Sequence, residues 1–194
     1  MKLTFFAIVA TVILLGSTSS IRVQAQPGED LKTSGDRRIE FTVPDAPWSL
    51  TLPKANLVVN RQEIKADRRS GYFLLTDEKN QMTISFFIEA VKDCKNSKAC
   101  RDMIRKLGNP AWEDAQKFEQ YEIGDVSYLE LFVPSFRGAP VKQQNVYAEF
   151  VKDGFWVDLH ISKVLYKPEH HSLFEQIIKS IKFEPKNSQT AAQK

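Results

Sequence analysis

An α+β fold, an antiparallel β-sheet flanked by helices, is what three features of this 194-residue sequence predict. Alternating strand-like segments follow one another closely through most of the chain. Two of them are joined by Asp153-Gly154, the strongest short hairpin signal. A helical apolar stripe near the C-terminus then needs a sheet to cover. No catalytic or cofactor motif rises above this background, so the sequence bears mainly on compartment, architecture and one surface.

The hairpin spans 144–162. A two-residue turn sets Lys152 opposite Phe155, and counting outward pairs Val151 with Trp156, Phe150 with Val157, Glu149 with Asp158, Ala148 with Leu159 and Tyr147 with His160. Side chains alternate faces along a strand. One face therefore carries Val146, Ala148, Phe150, Val157, Leu159 and Ile161, an apolar set that belongs in a core. The other carries Tyr147, Glu149, Val151, Trp156, Asp158 and His160. Two carboxylates directly across a ladder cost a few tenths to about 1 kcal/mol, which a nearby cation would offset. The plain reading is a neighbouring Lys or Arg. The sharper one is a binding surface made of Tyr147, Glu149, Trp156, Asp158 and His160. A metal there is the weakest, since one His and two carboxylates aligned by register make a poor ligand set.

At the start of the chain, Lys2, the apolar run 3–16 and Val23-Gln24-Ala25 compose a secretory signal, with cleavage expected after Ala25. The run is too short for a comfortable membrane span. The mature chain is expected to be exported to the periplasm or outside the cell, with no integral membrane segment. Removing Lys2 and Arg22 lowers the formal charge from +3 to +1, so the basic balance argues little for nucleic acid, and no nucleic-acid partner is expected. Cys94 and Cys100 lie six positions apart. In an exported chain they are expected to form a disulfide; a metal pair or a redox pair are the alternatives, and the spacing is not Cys-x-x-Cys.

Along the mature chain, 26–37 reads as a flexible leader and 185–194 as a flexible tail, leaving one domain at 38–184. Strands are expected at 39–43, 48–52, 61–66, 71–76 and 82–89 as successive antiparallel neighbours. A helix follows over 97–107, its stripe Ala99, Met103, Ile104 and Leu107, stopped by Gly108. Asn109-Pro110 suggests a second, short helix. Strand character returns over 121–133, reversed at Gly124-Asp125. Residues 134–141 read as a loop in which Phe136 and Arg137 are contact candidates. Pro168 opens a last helix whose stripe is Leu173, Phe174, Ile177, Ile178 and Ile181.

The strand pair Val146–Phe150 and Phe155–Ile161, followed by the amphipathic helix Leu173–Phe183, resembles the closing section of PsbP-like domains, named after an extrinsic protein of photosystem II. The resemblance covers about 40 residues by hydrophobic pattern, and the rest by element order only. It implies an α/β/α sandwich, helices on both faces of the sheet, and a mostly non-catalytic role in binding and assembly. The Cys94–Cys100 loop is not part of that pattern, and no family site residue maps onto this chain.

Gly124-Asp-Val-Ser127 lacks the spacing of a nucleophile elbow. Neither a glycine-rich phosphate loop nor a His-Glu-x-x-His run occurs. His170 and His171 are adjacent helical residues pointing about 100° apart, so they read as surface residues. Lys98, Arg101 and Arg105 line one side of the 97–107 helix. With Lys92 and Lys95 they form a basic patch, read either as a solvated face or as a contact for an anionic partner. The chain is thus expected to be an exported binding or accessory protein with a protein partner of unassigned identity, no cofactor and no enzymatic activity. A small-ligand carrier, with an apolar pocket beside Tyr147 and Trp156, is the alternative. The oligomeric state is open.

Overall fold

The computed structural model describes residues 37–109 and 112–186. The signal segment, nearly all of the leader and nearly all of the tail lie outside them. In chain order the strands are β1 (Arg38–Phe41), β2 (Trp48–Pro53), β3 (Leu57–Ile64), β4 (Ser70–Asp77) and β5 (Met82–Ala90). Helix α1 (Ser97–Leu107) follows, then β6 (Gln116–Ile123), β7 (Val126–Phe136), β8 (Ala139–Lys152) and β9 (Phe155–Lys163). Helix α2 (His171–Ser180) and β10 (Lys182–Pro185) close the chain.

A seven-stranded sheet runs β3-β4-β5-β9-β8-β7-β6, antiparallel throughout. Its centre is the β8–β9 hairpin, whose pairs run from Lys152↔Phe155 through Glu149↔Asp158 to Tyr147↔His160, as the turn requires. Asp153 (φ 49°) and Gly154 (φ 78°) both occupy the left-handed region that a tight hairpin with right-handed twist demands. The alternation of β5 is equally clean. Met82, Ile84, Phe86, Ile88 and Ala90 are buried, and the residues between them are half-buried.

One face of this sheet buries Phe73, Ile84, Phe86, Val146, Ala148, Val157, Leu159 and Ile161, with Phe150 packed at the margin. Each fully buried side chain of this size contributes about 1.5–3 kcal/mol relative to exposure. The cover is a second, three-stranded sheet, β1-β2-β10, together with Phe174 and Ile178 of α2. The opposite face is partly covered by α1 and by the Trp112 region.

Three expectations differ from the structure. First, β1 and β2 are not neighbours of β3 in one sheet; they pair with each other and with β10. Second, the chain does not remain helical to Phe183. It leaves the helix at Ile181 (ψ 133°) and pairs Phe183 with Leu50. A pairing across more than 130 residues leaves no local mark on the sequence. Third, 134–141 is no loop. β7 and β8 continue to a third two-residue reversal at Arg137-Gly138, both with positive φ, and Pro134 sits where the ladder shifts register, since it has no N–H to donate. The short helix expected from Asn109-Pro110 falls on residues 110 and 111, outside the described residues; Trp112 has 3-10 geometry and Glu113 and Asp114 form a turn. The two α-helices described do not amount to two helical layers, because the small sheet supplies much of the cover on one side.

Candidate functional site

Register places Tyr147, Glu149, Trp156, Asp158 and His160 on one face at the middle of the sheet. They are brought together, but not as an open surface. Tyr147, Glu149 and Trp156 are buried, and Asp158 and His160 are half-buried. The Cys94–Cys100 disulfide, formed with its Cα atoms 5.0 Å apart, packs on the Trp156 indole with Ala99, Met103 and Ile104 of α1. On the other side Tyr147 meets Trp112 edge-on at 5.4 Å, and its hydroxyl accepts a hydrogen bond from Trp112 Nε1 at 3.2 Å. His160 stacks flat on Tyr147 at 4.3 Å, and its Nε2 lies 3.0 Å from Asn145 Oδ1. Burial holds this imidazole down at about 4, so it is neutral near pH 7.

The carboxylates are handled differently from expectation. Neither Glu149 nor Asp158 forms an ion pair with a Lys or Arg of the described residues. Trp156 Nε1 donates to Glu149 Oε2 at 2.5 Å, while Glu149 Oε1 and Asp158 Oδ1 are buried without a donor. Burial and then the Asp158 charge raise the Glu149 carboxyl well above its ordinary range. Burial also lifts Asp158, to about 6, against a hydrogen bond from Glu149 that works the other way. No set of three metal-binding side chains is gathered among the described residues; His160 faces Asn145, not the carboxylates.

The basic patch is also rearranged. The Arg101 side chain is only 4% exposed, its guanidinium donating to Asp102 and, at 2.6 Å, to Glu122 on β6. Lys98 pairs with Asp102 at 2.6 Å, and Arg105 lies 3.9 Å over the Phe118 ring. Arg101 thus fastens α1 to the sheet edge and cannot serve as an open cation. Leu107, assigned to the apolar stripe, is 59% exposed. The helix turns Cys100 and Arg101 inward instead, because the disulfide fixes its rotation about its own axis.

A second polar cluster was missed from sequence. Glu130, buried on the face that holds the main core, accepts from the Tyr121 hydroxyl and from Gln144 Nε2 at 3.2 Å, with His171 Nδ1 4.0 Å away. Tyr121 stacks on Tyr128 at 4.8 Å, and burial with the Glu130 contact drives its hydroxyl upward. The one available signal was an acid interrupting the apolar run 128–133. His171, read as a surface residue, is 40% exposed and sits between Glu130 and Glu175. His170 is at the surface of the preceding turn, its Nδ1 accepting from Lys167 N at 3.1 Å.

The carrier alternative needed an apolar pocket beside Tyr147 and Trp156, but both rings are enclosed by side chains. A depression of about 240 Å³ is lined instead by Asp67, Arg69, Ser70, Glu89, Ala90 and Lys92, which are mostly charged or polar.

A central antiparallel sheet with a long hairpin at its middle, one short sheet and one helix on its core face, and a tethered helix opposite define a PsbP-like fold. The chain is similar in structure to cyanobacterial PsbP (CyanoP) of Synechocystis sp., at 14% sequence identity and a TM-score of 0.53; the match covers 87% of this chain and 98% of that one. At that identity the likeness concerns the fold alone. No protein-family model matches the sequence, and no curated protein does.

Proposed function

We propose that the protein is an exported, non-catalytic accessory protein that works by binding another protein. The observation that carries this reading is that its most suggestive polar residues, Tyr147, Glu149 and Trp156, are packed shut by their own neighbours, on a fold shared with CyanoP. A reacting group has to meet substrate, and these do not. Export is supported by the Cys94–Cys100 disulfide, because thiols in a reducing compartment stay reduced.

With the Trp156 face covered and Arg101 engaged, the contact is best assigned to the outer end of the β7–β8 hairpin. There Arg137 and Pro140 are exposed, and the Arg137 guanidinium lies 5.2 Å from the half-buried Phe136 ring. An aromatic beside an exposed Arg at a hairpin end is the composition of an interface anchor. Affinity capture from the envelope of the producing cell, with wild type beside Phe136→Ala/Arg137→Ala, tests the reading. A protein enriched by wild type and reduced at least tenfold by the double variant is the expected result. No enrichment by either protein would remove the interaction reading, and equal enrichment would move the contact off this hairpin.

A further inference from the structure

We propose that Glu149 and Asp158 share one proton beneath α1, and that loss of this proton loosens the disulfide-tethered helix, making it a pH-sensitive cover on the sheet.

The two side chains stand directly across the central β8–β9 ladder, within hydrogen-bonding reach of each other. Each has one carboxyl oxygen that is buried and without a donor, Glu149 Oε1 and Asp158 Oδ1. Leaving two buried acceptors unpaired is costly, and two adjacent buried negative charges cost more. A single hydrogen on Glu149, donated to Asp158, removes both problems at once.

From β8, Tyr147 is pushed upward by burial and stays neutral. From β9, His160 stays neutral above about pH 4 and brings no positive charge. From β5, Glu89 adds a further negative influence on Asp158, and burial raises it too. From α1, the Arg101 charge favours Glu149 ionisation, but its guanidinium is paired with Asp102 and Glu122 and donates nothing to Glu149. The strand on the far side, β7, places Ser127 opposite Glu149 and contributes no charge. When the proton leaves, nothing close by compensates the second charge.

Water has to do so, and the route to it is under the cover. The roof over this position is the disulfide, Trp156, Ala99, Met103 and Ile104. Opening it lets Glu149 release its proton to solvent as a hydrated carboxylate. Because both folded carboxyls are raised, the closed form is favoured at low pH. That advantage is progressively lost as pH rises from the ordinary carboxyl range, through about 6 for Asp158, and on through the higher value of Glu149.

Hydrogen exchange of the full, oxidised chain at several pH values between 5 and 9, corrected for intrinsic amide rates, reads the cover directly. Above about pH 6, where Asp158 is ionised and Glu149 alone releases a proton on opening, the opening constant of α1 amides is expected to rise by about tenfold per pH unit, while β5 and β9 amides keep their protection. Glu149→Gln, which retains a permanent donor toward Asp158, is expected to flatten the profile. Glu130→Gln, at the other buried acid, is expected to leave it unchanged. Trp156 emission, taken as the difference from Trp156→Phe, supplies a readout on the wild type should the Gln variant not fold; it is expected to change over the same pH range as α1 opening. A pH-independent α1, an unchanged slope in Glu149→Gln, equal loss of protection in β5 and β9, or an indole signal that does not follow α1 would each overturn the proposal.

Discussion

Trp156 shows how one side chain can be both wall and donor. Its ring fills the space between the disulfide and the sheet, and its Nε1–H is the donor on Glu149 Oε2. Phenylalanine would keep most of the packing and remove the donor, leaving a further carboxyl oxygen buried and unpaired. Trp156→Phe is therefore expected to lower stability by about 1–3 kcal/mol in urea unfolding; a change below about 0.5 kcal/mol would mean that Glu149 finds another partner. The same residue marks the limit of a sequence reading. Register alone put Trp156, Tyr147 and the two acids on one face, and that holds. Whether the face is wet depends on residues 91–104 and 112–118 folding back over it, which no periodicity within the hairpin encodes.

At the scale of the element, α1 is the most locally specified piece of the chain. Its bounds follow from Asn96, whose side chain accepts from Ala99 N at 2.8 Å, and from Gly108 at φ 69°, whose N–H returns to Ile104 O. Its orientation is not local. The Cys94–Cys100 bridge and the Arg101–Glu122 pair turn the helix so that Cys100 and Arg101 face inward and Leu107 faces out. The bridge closes a short loop, so removing it as Cys94→Ala/Cys100→Ala is expected to cost about 2 kcal/mol on chain-entropy grounds, about 4–8 °C in melting temperature for a domain of this size. A calorimetric scan of the double variant beside wild type checks this, and an unchanged midpoint would show that Arg101 and apolar packing hold α1 without the bridge. The hairpins tell the same story from the other side. Asp153-Gly154 and Gly124-Asp125 announce themselves by composition, whereas Arg137-Gly138 does so less clearly, with Pro134 nearby suggesting a break.

For the whole molecule, the decisive contact is between the two ends of the described chain. β10 returns to pair with β2, and Phe183 packs edge-on to Trp48 at 4.8 Å and near Phe150 at 5.8 Å. This closes the small sheet over the main core. Phe183→Ala is expected to destabilise the protein by about 2 kcal/mol, below the 3–5 kcal/mol of a fully buried ring because Phe183 is only half-buried. Loss of protection should appear first in β10 and β2, by hydrogen exchange; uniform loss over all strands would mean that the two sheets unfold as one unit. The 38–52 and 182–185 segments carry no local sign of this union, since each reads adequately as an isolated strand or as a helix extension. By itself the sequence determined the antiparallel strands, the register of the central hairpin and the bounds of α1, because turn chemistry, alternation and capping act over a few neighbouring residues. Only the tertiary structure decided that the strands divide into two sheets, that the carboxylate pair is roofed over, and that Arg101 is spent inside. Those outcomes depend on which distant surfaces exclude water together, and that is a property of the packed chain.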